Sequence, residues 1–199
     1  LNRLLEKDKG SHRKNLQIQV PTVLPLSHKI RLVHEKPSYV SYEEVYQDHC
    51  VKQGMNVDSP IINYWQTINS ACENHQNHVV AKQDAFNKIA EEMVPDDILL
   101  KYFNTTCVSW NELFQLRKML STQVGLFAVV EYLLNVQDRC LHKTLVGKNS
   151  GEMFEFDFRA SFGNNGRLQR NTSIPFRLSR NVQNFISPFG MQGILLNSM

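Results

Sequence analysis

EYLLNVQDRCLHKTLVGKNSGEMFEFDF, residues 131–158, is the most informative part of this chain. A long apolar run stops at Leu134, and the pair Asp138-Arg139 follows shortly afterwards. Two short apolar segments with a turn between them then lead to a second carboxylate at Asp157. The pattern predicts a helix, a loop and a strand pair. It therefore predicts two acidic side chains that are presented by two neighbouring loops.

Two aspartates held in this way are typical of phosphotransfer sites of the protein-kinase type. One of them orients the hydroxyl nucleophile, and the other holds magnesium. The sequence therefore leaves a choice between a working phosphotransfer site and a degenerate one.

Three motifs resemble those of the phosphatidylinositol-3-kinase-related protein kinases. Residues 138–143, DRCLHK, are similar to the catalytic loop D-R-H-x-x-N of that family, and residues 157–159, DFR, to its metal loop D-F-G. Residues 175–180, PFRLSR, resemble the more specific motif P-F-R-L-T-R. The resemblance implies an α+β, protein-kinase-like fold of the PI3/PI4-kinase type, mostly helical in this chain, with a few strands remaining from the small lobe.

The chain departs from these motifs at positions that handle metal and phosphate. Asp138, Arg139 and Asp157 are kept, but Lys143 stands where the family has a metal-binding Asn and Arg159 where it has Gly. A Lys ammonium has no lone pair to offer magnesium. A unit positive charge about 4 Å from a divalent ion, at an effective dielectric constant near 20, is repelled by roughly 8 kcal/mol. We therefore interpret the site as degenerate.

Structural roles are favoured for both acids. An Asp next to an Arg after a helix is more often a cap or an ion-pair partner than a catalytic group, which applies to Asp138. Asp157 is expected to pair with Lys143 or Arg159, so that cations of the chain itself occupy the place of magnesium and ATP.

The opening segment 1–50, with residues 93–95 and 114–119, resembles more closely a pseudokinase branch of the family. That resemblance implies an inactive scaffold subunit of nuclear histone acetyltransferase complexes. It further implies complex subunits and transcription activators as protein partners, no cofactor, no direct nucleic-acid contact and no membrane contact. The alternative is a diverged but active serine/threonine or lipid kinase that uses Asp138 and Asp157.

The kinase interpretation divides the chain into a remnant of the small lobe, residues 1–37, and a large lobe cut short at its C-terminal end, residues 38–199. Residues 16–26 predict an interrupted edge strand and residues 29–34 a second strand. Residues 33–37 would then form the hinge that contacts adenine. An ordinary hairpin explains the same alternation equally well. A first helix is expected to end at Gly10.

Helices are predicted for most of the remaining chain. Capping boxes at Ser41/Glu44 and Ser109/Glu112 mark two helix starts. The second helix, residues 110–134, would be about 37 Å long and would form the buried pillar of the lobe. Further helices are predicted near residues 58–68, 78–93, 95–103 and 182–186, and residues 160–172 predict a loop.

Composition is that of a globular domain, with 42% hydrophobic and 21% charged residues among 199. The net charge of +3 is too small to predict nucleic-acid binding. Four widely spaced cysteines, without a C-x-x-C pair, favour reduced intracellular thiols over a disulfide scaffold or a zinc site. No apolar stretch is long enough to predict a membrane span.

Overall fold

The computed structural model describes residues 1–34, 36–73, 78–136, 139–155, 160, 162–168, 174 and 176–199. Helices make up most of these ranges, which confirms the α+β, kinase-like fold class in its mainly helical form. The helices are α1 (Asn2–Lys7), α2 (Lys9–Arg13), α3 (Tyr42–Gln53), α4 (Ser59–Glu73), α5 (His78–Glu92), α6 (Ile98–Thr106), α7 (Trp110–Leu134), α8 (Arg180–Ile186) and α9 (Leu196–Ser198).

In the described ranges, five short strands form two antiparallel sheets. They are β1 (Val23–Pro25), β2 (Arg31–Val33), β3 (Tyr39–Ser41), β4 (Thr144–Gly147) and β5 (Met153–Glu155). Strand β1 pairs with β2, and the second sheet has the order β3-β4-β5. An isolated parallel bridge from Gln19 to Phe154 joins the N-terminal segment to the second sheet. The strand pair expected before Asp157 is present as β4 and β5, and the two strands expected within residues 16–34 are present as β1 and β2, with β1 confined to Val23–Pro25.

Helix α7 is the central pillar of the structure, with the bounds predicted from the sequence. It begins with a complete capping box, in which the Glu112 N–H donates to Ser109 Oγ at 3.2 Å and the Ser109 N–H donates to Glu112 Oε2 at 3.3 Å. It ends at Asn135, whose φ of 50° is left-handed. Its core face consists of Leu113, Leu116, Leu120, Val124, Phe127 and Val130, all buried. These are predicted core positions of the helix.

Helices α3, α6 and α8 pack around the pillar in one apolar core. The predicted capping box at Ser41 and the left-handed Gly54 at the end of α3 are both present. Helix α6 begins at Ile98 and continues to Thr106, past the predicted end near Phe103. Helices α4 and α5 form a hairpin, and a 3-10 turn at Ser187–Phe189 follows α8.

The prediction that Gly10 ends the first helix is wrong. Helix α1 stops at Lys7, and Gly10 lies inside the separate helix α2. The reason is Asp8, whose carboxylate accepts hydrogen bonds from the Ser11 N–H at 2.8 Å and from Ser11 Oγ at 2.9 Å. An aspartate N-cap restarts the helix, because it satisfies amides that would otherwise lack acceptors. The glycine therefore serves no capping role here.

Candidate functional site

The predicted site residues fall into two groups. Arg139 and Lys143 lie in the described part of the chain, after the end of α7 and before β4. Asp138, Asp157 and Arg159 lie outside the described residues. The roles assigned to those three residues therefore stay predictions.

The β4-β5 hairpin sets the position of Lys143. Thr144 pairs with Glu155, so the first residue of β4 and the last residue of β5 lie side by side at one end of the hairpin. Lys143 directly precedes that first residue and is half-buried, and its backbone N–H donates to the Cys140 carbonyl at 3.1 Å. A half-buried lysine therefore directly precedes the hairpin, at the end where β4 begins and β5 ends.

Arg139 is bound by the protein's own acceptors. Its Nε lies 3.1 Å from the Val136 carbonyl oxygen and 3.3 Å from Glu131 Oε2. Its guanidinium also donates to the Ile174 carbonyl oxygen at 3.3 Å. The side chain is only 14% exposed. Arg139 thus ties the end of the pillar to the segment that precedes the PFRLSR motif.

The PFRLSR motif contacts the catalytic-loop motif directly. The Arg177 guanidinium donates to the Arg139 carbonyl oxygen at 3.3 Å. Two of the three motifs that carry the resemblance are therefore adjacent in the structure. Their contact is a peptide carbonyl bound by a guanidinium, which organises the loop without requiring a metal ion or a nucleotide.

Glu131 is a site residue that the sequence interpretation did not assign. Burial raises the pKa of its carboxyl group, while the Arg139 guanidinium and the Arg177 backbone N–H partly counteract the shift. Burial disfavours the charged carboxylate because it removes water, whereas a nearby cation favours it. The sequence feature that could have identified Glu131 was a single acidic residue in the last turns of an apolar helix, close in sequence to an arginine.

A small cavity of about 60 Å³ adjoins this pair and is lined in part by Tyr42, Glu131 and Arg139. The Tyr42 hydroxyl oxygen is buried and has no hydrogen-bond partner within the described residues. Burial, with the nearby Glu131 charge, raises the pKa of Tyr42. The cavity is large enough for ordered water, the usual partner of a buried hydroxyl that lacks a protein acceptor. This region is therefore a compact polar cluster beneath the loop.

Comparison with known protein families identifies the family of this chain. The family model for phosphatidylinositol 3- and 4-kinases matches residues 1–199. The chain belongs to the PI3/PI4-kinase family. The membership is consistent with the helix, loop and hairpin order that carries Arg139 and Lys143.

Similar proteins point to one branch of this kinase family. The transformation/transcription domain-associated protein of Danio rerio is 29% identical over 205 residues, which cover 100% of this chain and 5% of that protein. The SAGA complex/NuA4 acetyltransferase complex subunit TRA1 of Saccharomyces cerevisiae is 24% identical over 214 residues, 97% of this chain and 6% of that protein. These findings confirm the resemblance to that branch. This kinase-family chain spans only a small fraction of these relatives.

A relative that is named as a protein kinase also matches this chain. The serine/threonine-protein kinase TEL1 of Kluyveromyces lactis is 24% identical over 200 residues, 100% of this chain and 7% of that protein.

In the ranges that the structure describes, no three His, Cys, Asp or Glu side chains are grouped closely enough to hold a metal ion. None of the described helices is long and apolar enough to span a membrane.

Glu131→Gln is expected to reduce the pH dependence of stability. The folded-state pKa of Glu131 is raised above its ordinary value of 4.5, so the folded protein retains this proton to higher pH than the unfolded chain. The contribution of Glu131 to stability is complete below the unfolded-state pKa and is lost as pH rises through the folded-state pKa. Urea titrations between about pH 4 and pH 8 should show a smaller decline for the variant than for the wild type.

Glu92→Gln is the matched control for this comparison, because it changes an exposed carboxylate on α5. This variant should follow the wild-type pH profile. A decline in Glu131→Gln as large as in the wild type would show that Glu131 does not carry the dependence.

Proposed function

We propose that this chain is a catalytically inactive kinase-like domain that serves as a protein-docking scaffold in a nuclear histone acetyltransferase complex. The observation that carries the proposal is Lys143, a half-buried cation at the catalytic-loop position where the family motif has a metal-binding Asn. Magnesium requires oxygen ligands, and an ammonium group both lacks a lone pair and repels the ion.

The assembly follows from the relatives. One relative is named for transformation and transcription, and another is named as a subunit of the SAGA and NuA4 acetyltransferase complexes. We infer that the partners of this chain are subunits of such complexes and transcription activators, rather than nucleic acid or a membrane. Regulation of transcription in the nucleus would then be its setting.

The site residues would be vestigial kinase positions, namely Asp138, Arg139, Lys143, Asp157 and Arg159. Arg139 supports this interpretation, because its side chain binds Glu131 and two backbone carbonyls of the chain itself. The same scheme assigns residues 1–37 to a small-lobe remnant and residues 38–199 to the large lobe. In this scheme no cofactor is bound.

The second candidate is an active serine/threonine or lipid kinase. It is favoured by the likeness to a named protein kinase and by the presence of both aspartates in the sequence. Asp138 would orient the acceptor hydroxyl and Asp157 would bind a single magnesium ion.

A thermal-shift measurement separates the two candidates. The inactive scaffold should unfold at the same temperature with and without millimolar ATP and magnesium. An active site would be stabilised by about 2.7 kcal/mol at a ligand concentration of 100 times Kd, because ligand binding favours the folded state. Asp157→Asn is the control, since it should abolish any stabilisation that depends on magnesium. A magnesium-dependent shift that disappears in this variant, together with phosphate release from ATP, would overturn the proposal.

A further inference from the structure

The excess positive charge of this chain lies within residues 1–14. This segment contains five Lys or Arg residues and two Asp or Glu residues, which gives a net charge of +3. The whole chain also has a net charge of +3, so cationic and acidic side chains balance over residues 15–199. A local excess of one sign of charge attracts partners of the opposite sign. The five cations, here called the basic surface, are Arg3, Lys7, Lys9, Arg13 and Lys14.

The charges of the basic surface face solvent and are not neutralised by ion pairs. All five side chains are exposed. In the ranges that the structure describes, none of the five forms a salt bridge with a carboxylate. Lys14 Nζ donates to the Asn197 carbonyl oxygen, a contact that leaves the charge of the lysine in place.

Two acids of the same segment do not cancel this charge. The Asp8 carboxylate is used within the protein, because it accepts hydrogen bonds from the Ser11 N–H at 2.8 Å and from Ser11 Oγ at 2.9 Å. Glu6 is exposed. Both acids are already counted in the net charge of +3 of residues 1–14, so a carboxylate of another chain still meets an excess of cations.

The cations do not stabilise the helices that carry them. Arg3 and Lys7 are four residues apart on α1, and Lys9 and Arg13 are four residues apart on α2. Like charges at this spacing repel each other and destabilise a helix. Lys9 is also the first residue of α2, where the helix dipole disfavours a cation. Charges that oppose local stability are expected where they serve binding.

An apolar cavity of about 400 Å³ adjoins the basic surface at Arg3. Its walls include Ile18, Val20 and Phe127, and Val20 is 62% exposed. The acid among the described residues that line it is Glu155, which is 4% exposed and already engaged within the protein. Arg3 is therefore the exposed charge at the mouth of the cavity. An apolar cavity beside a cation favours a ligand that combines apolar and acidic groups.

These features favour a polypeptide over nucleic acid. Nucleic-acid binding depends on many phosphate contacts, and domains with this function typically have a pI above about 9. The pI of this chain is 8.7. A phosphate backbone also provides no apolar group for the cavity, whereas a polypeptide supplies both carboxylates and apolar side chains. The occupant indicated by charge and by the cavity is therefore an acidic segment of a protein.

We propose that the basic surface and the adjoining cavity together bind an acidic segment of a partner protein that carries a large apolar side chain. The apolar side chain enters the cavity beside Arg3, and carboxylates on either side of it pair with the cations of α1 and α2. Hydrogen bonds between a cation and a carboxylate are stronger than those between neutral groups. The inference rests on the proposed scaffold function, since it names the chemistry of a docked partner.

Fluorescence anisotropy with a labelled designed peptide tests the proposal. The probe is a peptide of about 16 residues in which glutamate alternates with serine on both sides of a central pair of leucines. We expect saturable binding to the 199-residue chain that weakens with added sodium chloride. Lys9→Glu combined with Arg13→Glu should weaken binding by about tenfold.

Lys82→Glu combined with Lys88→Glu is the matched control. It makes the same change in net charge at two exposed lysines of α5, outside the basic surface. This variant should bind the peptide nearly as well as the wild type does. Lys9→Glu places an acid in the first turn of α2, where the helix dipole favours it, so the unfolding temperature of the test variant should not fall. Equal weakening in the two double variants would overturn the proposal, because net charge alone would then explain binding.

Three further probes test the chemistry of the occupant. A peptide with lysine in place of glutamate, and one with serine in place of the leucines, should each bind more weakly than the acidic peptide. Equal binding of either would overturn the proposal, as would the absence of saturable binding by the acidic peptide. A DNA duplex of about 20 base pairs should also bind more weakly. Tighter binding of the duplex would identify nucleic acid as the occupant and overturn the proposal.

Failure of the peptide experiment is distinguishable from failure of the proposed function. The ATP and magnesium measurement reports on nucleotide binding and does not involve the basic surface. A chain that binds neither nucleotide nor the acidic peptide would retain the proposed inactive state and would contradict only the present inference.

Discussion

Phe185→Ala is expected to lower the free energy of unfolding by about 3–5 kcal/mol, the usual cost of truncating a buried phenylalanine. Phe185 on α8 is fully buried. Its ring centroid lies 5.4 Å from that of Phe103 on α6, so the side chain joins two helices of the core. Urea denaturation followed by circular dichroism measures the change.

Phe114→Ala is the matched control for this variant. Phe114 is 51% exposed and packs on Phe189 with ring centroids 5.4 Å apart, so its loss should cost clearly less. Equal losses in the two variants would show that core packing at Phe185 is not the cause.

Phe185→Ala is also expected to disturb the contact between α7 and α8. Arg117 lies over the Phe185 ring at 5.2 Å, and its Nε donates to the Phe185 carbonyl at 2.7 Å. Burial lowers the pKa of Arg117, which shows that this guanidinium is partly removed from water. Loss of the ring would loosen α8, the helix that also carries Arg180.

The pillar could be predicted because its signals are local. Ser109 and Glu112 define its start, and apolar residues at helical spacing define its core face. Local signals likewise mark the two ends of α3, where Ser41 is the N-cap and Gly54 the C-cap. The first helix could not be predicted correctly, because the competition between a C-terminal glycine and an aspartate N-cap was decided by the geometry at Asp8.

The candidate site is formed by contacts between residues that are distant in the sequence. The structure brings Arg139 to the PFRLSR motif through the Arg177 guanidinium, a contact that the sequence analysis did not predict. The partner of Arg139 could not be derived from the sequence, because Glu131 is eight residues away and only the turn at the helix end brings the two together. Tyr42 is further away in the sequence still, and only the tertiary fold brings it to the cavity that Glu131 also lines.

Gly151→Ala is expected to lower the free energy of unfolding by about 2–5 kcal/mol, the sum of a left-handed backbone penalty and of overpacking. Gly151 lies in the β4-β5 turn with a φ of 69°. A Cβ atom there would overlap the Leu116 carbonyl oxygen of α7. The clash involves backbone on both sides, so a rotamer change cannot relieve it. Thermal and urea unfolding measure the loss.

Gly166→Ala separates the two contributions to this loss. Gly166 has nearly the same backbone conformation, with a φ of 71°, but a Cβ atom there would meet nothing within 4 Å. The control should therefore cost only the left-handed penalty of about 1–2 kcal/mol. The remainder measures how tightly the hairpin that follows Lys143 is seated on the pillar. If both variants lose the same stability, the Leu116 contact does not fix the hairpin on the pillar.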